Sequence, residues 1–146
     1  MIRPMTRTAL IAIALAACDA VPGNPRAPRP AHLDDAAEVA RDLWSDEFGV
    51  DLPAPPPPIE WLAGDCLDVD APGYACVRGW YAGGAIYLAA RPAIADTLLA
   101  HEMLHWVLDQ YGDSDGTHEA PAWRTALPDV EAAILAWELL QSETPR

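Results

Sequence analysis

From Leu33 to Phe48 the apolar residues Ala36, Ala40, Leu43, Trp44 and Phe48 recur every three or four positions. That period predicts an amphipathic helix buried along one side, with Asp34 and Asp35 near its positive end and Gly49 as its stop. Pro53 to Pro58 then reads as a stiff crossover, with a polyproline docking motif as the lesser alternative. Ile59 to Ala63 suits a short strand, and Gly64 to Gly73 an acidic loop rich in turn residues. The runs Ala75–Tyr81 and Ala85–Ala90 flank Gly83-Gly84, a hairpin signal. A second helix is predicted from Pro92 to Tyr111. Ile94, Leu98, His101, His105 and Leu108 fall close to one stripe, so the histidines are expected on its inward face. Gly112 to Gly116 is a polar loop. A last helix follows from Pro128 to Gln141, striped by Val130, Ile134, Trp137 and Leu140, and Ser142–Arg146 reads as a frayed end. The pattern describes one small α+β domain with a short, mainly antiparallel sheet.

The beginning of the chain follows a different logic. Residues 1–17 carry Arg3 and Arg7, then an apolar run from Ala9 to Ala17 that is too short to span a bilayer. They read as a secretory signal. Leu15-Ala16-Ala17-Cys18 resembles the lipobox of bacterial lipoproteins, which implies that Cys18 is acylated and becomes the mature N-terminus. An ordinary signal peptide is the alternative. Residues 18–31 then form a lipidated cysteine and a proline-rich tether (Pro22, Pro25, Pro28, Pro30), leaving 32–146 as the domain. After Cys18 the chain has seven arginines against 22 acids, and it has no lysine. Such a surface repels phosphate backbones, so nucleic acid is not an expected partner. Membrane attachment would come from the lipid, placing the protein in the cell envelope.

In an exported chain Cys66 and Cys76 are expected to form a disulfide; zinc ligation is the alternative, though their spacing matches no common finger. Asp65, Asp68 and Asp70 suit a solvated turn better than a calcium loop. The sharpest signal is His101-Glu102-Met103-Leu104-His105. Histidines four apart lie on one helix face, and the intervening glutamate lies close enough to reach a water held by both imidazoles. Two nitrogen ligands and a general base on one rigid element are the arrangement of zinc hydrolases, with one zinc per chain. The alternative is a surface helix that happens to carry two histidines. A third ligand must come from elsewhere. Asp109 is about 12 Å of helix from His101 and lies out of reach. His118 is the leading candidate, because residues 112–118 extend to roughly 20 Å and can return to the helix. Glu119, Asp113, Asp115 and Glu131 remain alternatives.

These residues, followed by a Gly/Asp-rich loop and by His118, Pro121 and Trp123, resemble the zincin metallopeptidases, in particular SprT-like and related small bacterial peptidase domains. The resemblance spans Ala85 to Trp123. It implies a zincin-like fold, metal ligation by His101, His105 and His118, and catalysis by Glu102 on peptide or protein substrates. Thr117 and Glu119 stand where that family often has glycine, and neither a zinc ribbon nor a basic surface accompanies the site, so a DNA-linked role does not carry over. Leu108 and Tyr111 exclude the metzincin pattern. The implied mechanism is hydrolysis by a water activated on zinc, with Glu102 as general base and the substrate laid along the strand at Ile86–Ala89. Tyr111 or Arg124 could assist an oxyanion, although both read more simply as packing or surface residues. Asp96 or Glu131 could orient an imidazole. Trp61, Trp80, Trp106, Trp123 and Trp137 read as core or groove walls. Two competing functions stand beside the peptidase: a non-catalytic zinc-binding lipoprotein that binds other proteins, and a peptidoglycan cross-link hydrolase.

Overall fold

The computed structural model describes residues 21–70, 73, 76–90, 95–113 and 117–143. The signal region, Cys18, Ala75, Pro92, Ile94 and Asp115 lie outside the described residues. In chain order the elements are α1 (Leu33–Phe48), β1 (Ile59–Leu62), β2 (Gly79–Ala82), β3 (Ala85–Ala89), α2 (Ala95–Gln110), the single turn α3 (Ala122–Thr125) and α4 (Leu127–Glu143). The architecture is the expected α+β one. No helix among the described residues is long and apolar enough to cross a membrane.

α1 forms as its period predicts. Leu33, Ala36, Ala37, Ala40 and Trp44 are buried, and the chain turns at Gly49, whose N–H bonds the Asp46 carbonyl while Val50 N–H bonds that of Ser45. α2 behaves differently. It is the centre of the molecule, packed by the sheet, α1 and α4. Leu99, Ala100, Met103, Leu104, Trp106, Val107 and Leu108 are all buried. A helix enclosed on several sides is apolar around most of its circumference, so periodicity does not single out its inward face. The histidines therefore lie off the inward stripe, half-exposed at the rim of the core. In α4, Val130 and Ile134 are buried and Trp137 is half-buried, whereas Leu140 is 64% exposed and does not continue the stripe.

The sheet is mixed rather than mainly antiparallel. Its order is β1-β3-β2, with β1 parallel and β2 antiparallel to β3. Gly83 and Gly84, at φ 57° and 76°, take the left-handed conformations that a two-residue hairpin turn demands. The Ile86–Ala89 segment is thus the central strand. β1 and β2 are the edge strands, and among the described residues no strand pairs with the outer side of β2. Ile59, Trp61, Ile86 and Leu88 join the main core under the helices. Leu62, Leu67 and Ala89 form a smaller cluster, against which Trp80, Tyr87 and Val69 pack. The Cys66–Cys76 disulfide (Cα–Cα 5.1 Å) and the Leu67–Val77 bridge close the loop that supplies Leu67.

The proline-rich segment is extended, as expected of such a composition, but from Gly23 onward it is bound to the domain. Gly23 N–H bonds Asp68 O (2.9 Å), Ala27 N–H bonds Trp61 O (2.8 Å), and Ala63 N–H bonds Pro25 O (2.8 Å). Asn24 Nδ2 adds bonds to the carbonyls of Ala63 (2.9 Å) and Cys66 (3.0 Å). Pro25 among these contacts and Pro28 just beyond them lack N–H donors, which blunts this side of the sheet against further pairing. One sheet edge is closed by the chain's own N-terminal segment, and the other is left open beside α2.

Candidate metal centre

His101 and His105 stand one turn apart on α2, their rings 5.3 Å apart. Trp44 Nε1 donates to the carbonyl of Ala100 (3.3 Å), tying α1 to the helix at the residue before the first histidine. Beyond Gly112 the chain returns as the length argument requires. His118 Nε2 lies 3.1 Å from His101 Nε2 and 3.2 Å from His105 Nε2. His118 reaches this position with φ 59°, the only non-glycine residue with positive φ among those described. That conformation costs about 1 kcal/mol or more and persists where the surroundings require it. Glycine would remove the strain and also the imidazole.

Trp123, on the turn α3, completes the cluster. Its ring centroid is 4.8, 4.6 and 4.3 Å from those of His101, His105 and His118. The indole is buried and forms a common wall against which all three imidazoles rest.

The donor set suits one cation. A neutral imidazole nitrogen offers either one N–H or one lone pair, so His118 Nε2 cannot satisfy both neighbouring nitrogens as a hydrogen-bond partner. Three lone pairs converging on one point are what a metal ion requires. Nitrogens held about 2.0–2.1 Å from a tetrahedral zinc stand about 3.3 Å apart, within a few tenths of an ångström of the two spacings from His118, and all three ligand atoms lie within 4.8 Å of one another. Burial, and secondarily the nearby His118, lower the His101 pKa from 6.5 to about 4, so this ring is neutral at physiological pH, as ligation demands. His101, His105 and His118 form the one group of three or more metal-binding side chains among the described residues. The fourth histidine, His32, is elsewhere, with Nε2 3.0 Å from Glu138.

Glu102, next to His101 on α2, is only 4% exposed, the sole buried charged residue among those described. Burial pushes its carboxyl pKa from 4.5 up to about 8, and a hydrogen bond from the Tyr81 backbone partly opposes that rise. Its neighbour on the sheet is Gly79 of β2, where a Cβ would come within 2.9 Å of Glu102 Cγ and 3.0 Å of Cδ, and closer still to Oε1. Two turns along α2, Asp109 accepts a hydrogen bond from the Tyr81 hydroxyl (2.8 Å). Burial first, and then Asp109, raise the Tyr81 pKa. β2 therefore lies against the Glu102–Asp109 face of α2.

The alternative third ligands do not join the cluster. Asp113 and Glu119 are exposed, and Glu131 is a half-buried residue of α4 whose pKa is raised by burial. Tyr111 is 53% exposed and stacks on Phe48 (6.1 Å), and Arg124 is exposed. Nothing in these contacts directs either towards the histidines. Gly79 and the Tyr81 backbone were missed by motif reasoning, although a glycine inside a strand is a recognised mark of close approach. No family model, curated protein or solved structure matches the chain.

Proposed function

We propose that this chain is a zinc-dependent hydrolase of peptide bonds, exported and anchored by lipid at Cys18 in the bacterial cell envelope. The observation that carries this reading is the convergence of His118, from the returning loop, with His101 and His105 of α2, a helix that also bears Glu102. Three protein ligands would leave the fourth tetrahedral position of a zinc ion to water, which fits a catalytic site better than a structural one closed by four protein ligands. Zinc bound there supplies Lewis acidity, which polarises a carbonyl and makes water a competent nucleophile near neutral pH.

The remaining work belongs to the protein. In its ionised form, which a dication bound by the histidines would favour against the effect of burial, Glu102 would take the proton of the attacking water and deliver it to the leaving amine, with the Tyr81 backbone hydrogen-bonded to its carboxylate. An extended peptide pairs with the open edge of β2, since the opposite edge of the sheet is occupied by residues 23–27. The same chemistry cleaves an amide in a protein or in a peptidoglycan cross-link.

The burial of Glu102 against β2 favours one competing reading, a non-catalytic zinc-binding lipoprotein that serves as a protein-interaction module. Glu102→Gln separates the two. The hydrolase reading expects the variant to keep its zinc and lose cleavage of a peptide library or a cell-wall digest. A wild-type protein that binds zinc but cuts neither substrate supports the binding module instead.

A further inference from the structure

Glycine in a strand interior normally weakens the strand, because it contributes no side-chain packing and carries a larger entropy cost. Gly79 begins β2, an edge strand of four residues, where that weakness would be most damaging. It is nevertheless buried, with its α-carbon turned towards the Glu102 side chain. Three consecutive atoms of Glu102 (Cγ, Cδ and Oε1) occupy the space that any Cβ at this position would enter. Two residues along the same strand face, the Tyr81 backbone bonds the carboxylate, and the Tyr81 hydroxyl fastens the strand to Asp109. The contacts form a fitted seat: backbone beneath the side chain, a donor at its oxygen, and a side-chain tie holding the strand to the helix.

We propose that Gly79 is a positioning residue for Glu102, and that the first half of β2 is shaped to hold this carboxylate in one rotamer beside the histidine cluster. The catalytic consequence rests on the hydrolase reading above; the contact itself does not. A methyl group at Gly79 forces Glu102 to another rotamer or lifts β2 from α2. Misplacement of a reacting group by about 1 Å is worth up to roughly 100-fold in rate. The three atoms nearest to a Cβ at Gly79 all belong to Glu102, so the strain falls on that side chain and metal binding should survive the change.

The test is a two-residue cycle in the full chain: wild type, Gly79→Ala, Glu102→Ala and the double variant. Melting temperature, zinc content and, where cleavage is found, kcat and KM are measured for each. Gly79→Ala is expected to lower the melting temperature by at least about 4 °C when Glu102 is present. In the Glu102→Ala background, where the obstructing atoms are gone, it should be neutral or stabilising. Gly79→Ala should also retain one zinc per chain and lose 10- to 100-fold in kcat with KM within about twofold. Equal destabilisation in both backgrounds overturns the contact. Unchanged kcat in Gly79→Ala overturns the positioning role. A wild type that takes up no zinc refutes the hydrolase reading and the catalytic half of this inference with it, while the stability cycle still decides the contact.

Discussion

Without metal, Glu102 should make the protein sensitive to alkali, and Glu102→Gln should remove that sensitivity. Burial raises the carboxyl pKa from 4.5 to about 8. A group whose pKa is raised on folding contributes stability that is fully present below its unfolded pKa and is lost as pH rises through the folded value. The relevant window thus runs from about pH 4.5 to about pH 8. Each tenfold step in the proton equilibrium is worth about 1.4 kcal/mol, so the interval sets an upper limit of about 5 kcal/mol. That is a large part of the total stability of a domain this size, typically about 5–15 kcal/mol. Gln has nearly the same shape, stays neutral throughout and keeps an oxygen for the Tyr81 backbone. His101 acts in the opposite sense: its lowered pKa contributes stability above pH 6.5 that is lost as pH falls towards about 4. Both proteins share this contribution, so it cancels in their difference. Urea unfolding of EDTA-treated wild type and Glu102→Gln at pH 5, 7 and 9 measures the effect. Wild type should lose several kcal/mol relative to the variant between pH 5 and pH 9. Parallel stability curves, within about 1 kcal/mol, would refute the burial argument.

Other consequences concern the surroundings of the site. Trp123→Leu removes the wall shared by the three imidazoles and should weaken zinc affinity about 10-fold or more with the fold retained, as read by competition with a chelating dye. Asn24→Ala deletes three hydrogen bonds, to the carbonyls of Ala63 and Cys66 and from the N–H of Asp68, and should cost about 1–3 kcal/mol in urea unfolding. Replacing Cys66 and Cys76 together by serine opens a loop of separation 10 and should cost about 2–3 kcal/mol by the same assay, while zinc content stays at one per chain.

Much of this arrangement was legible in the amino-acid order, for identifiable reasons. α1 faces solvent on one side, so its stripe and the stop at Gly49 mark both its existence and its buried face. Gly83-Gly84 announced the hairpin because two successive positive φ values admit few other residues. The pairing of His118 with His101 and His105 followed from loop reach and from the scarcity of histidine. What stayed hidden depends on partners distant in sequence. The face that α2 turns to the core is invisible in a helix that is apolar nearly all round. The central place of β3 follows from its parallel pairing with β1, separated from it by the disulfide loop and β2, which local pattern does not encode. The attachment of residues 23–27 rests on backbone bonds and on Asn24, and proline-rich composition alone describes their extended shape but not their partner. The burial of Glu102 needed Gly79, a residue 23 positions earlier with no side chain to advertise the contact.

In the proposed site His101, His105 and His118 together hold one zinc ion. Metal analysis of the wild-type chain and of His118→Ala, each loaded with zinc and then dialysed, tests it most directly. About one zinc per wild-type chain is expected and a sharp loss in the variant, with the fold preserved by circular dichroism. Equal zinc content in the two proteins, or none in the wild type, would contradict it.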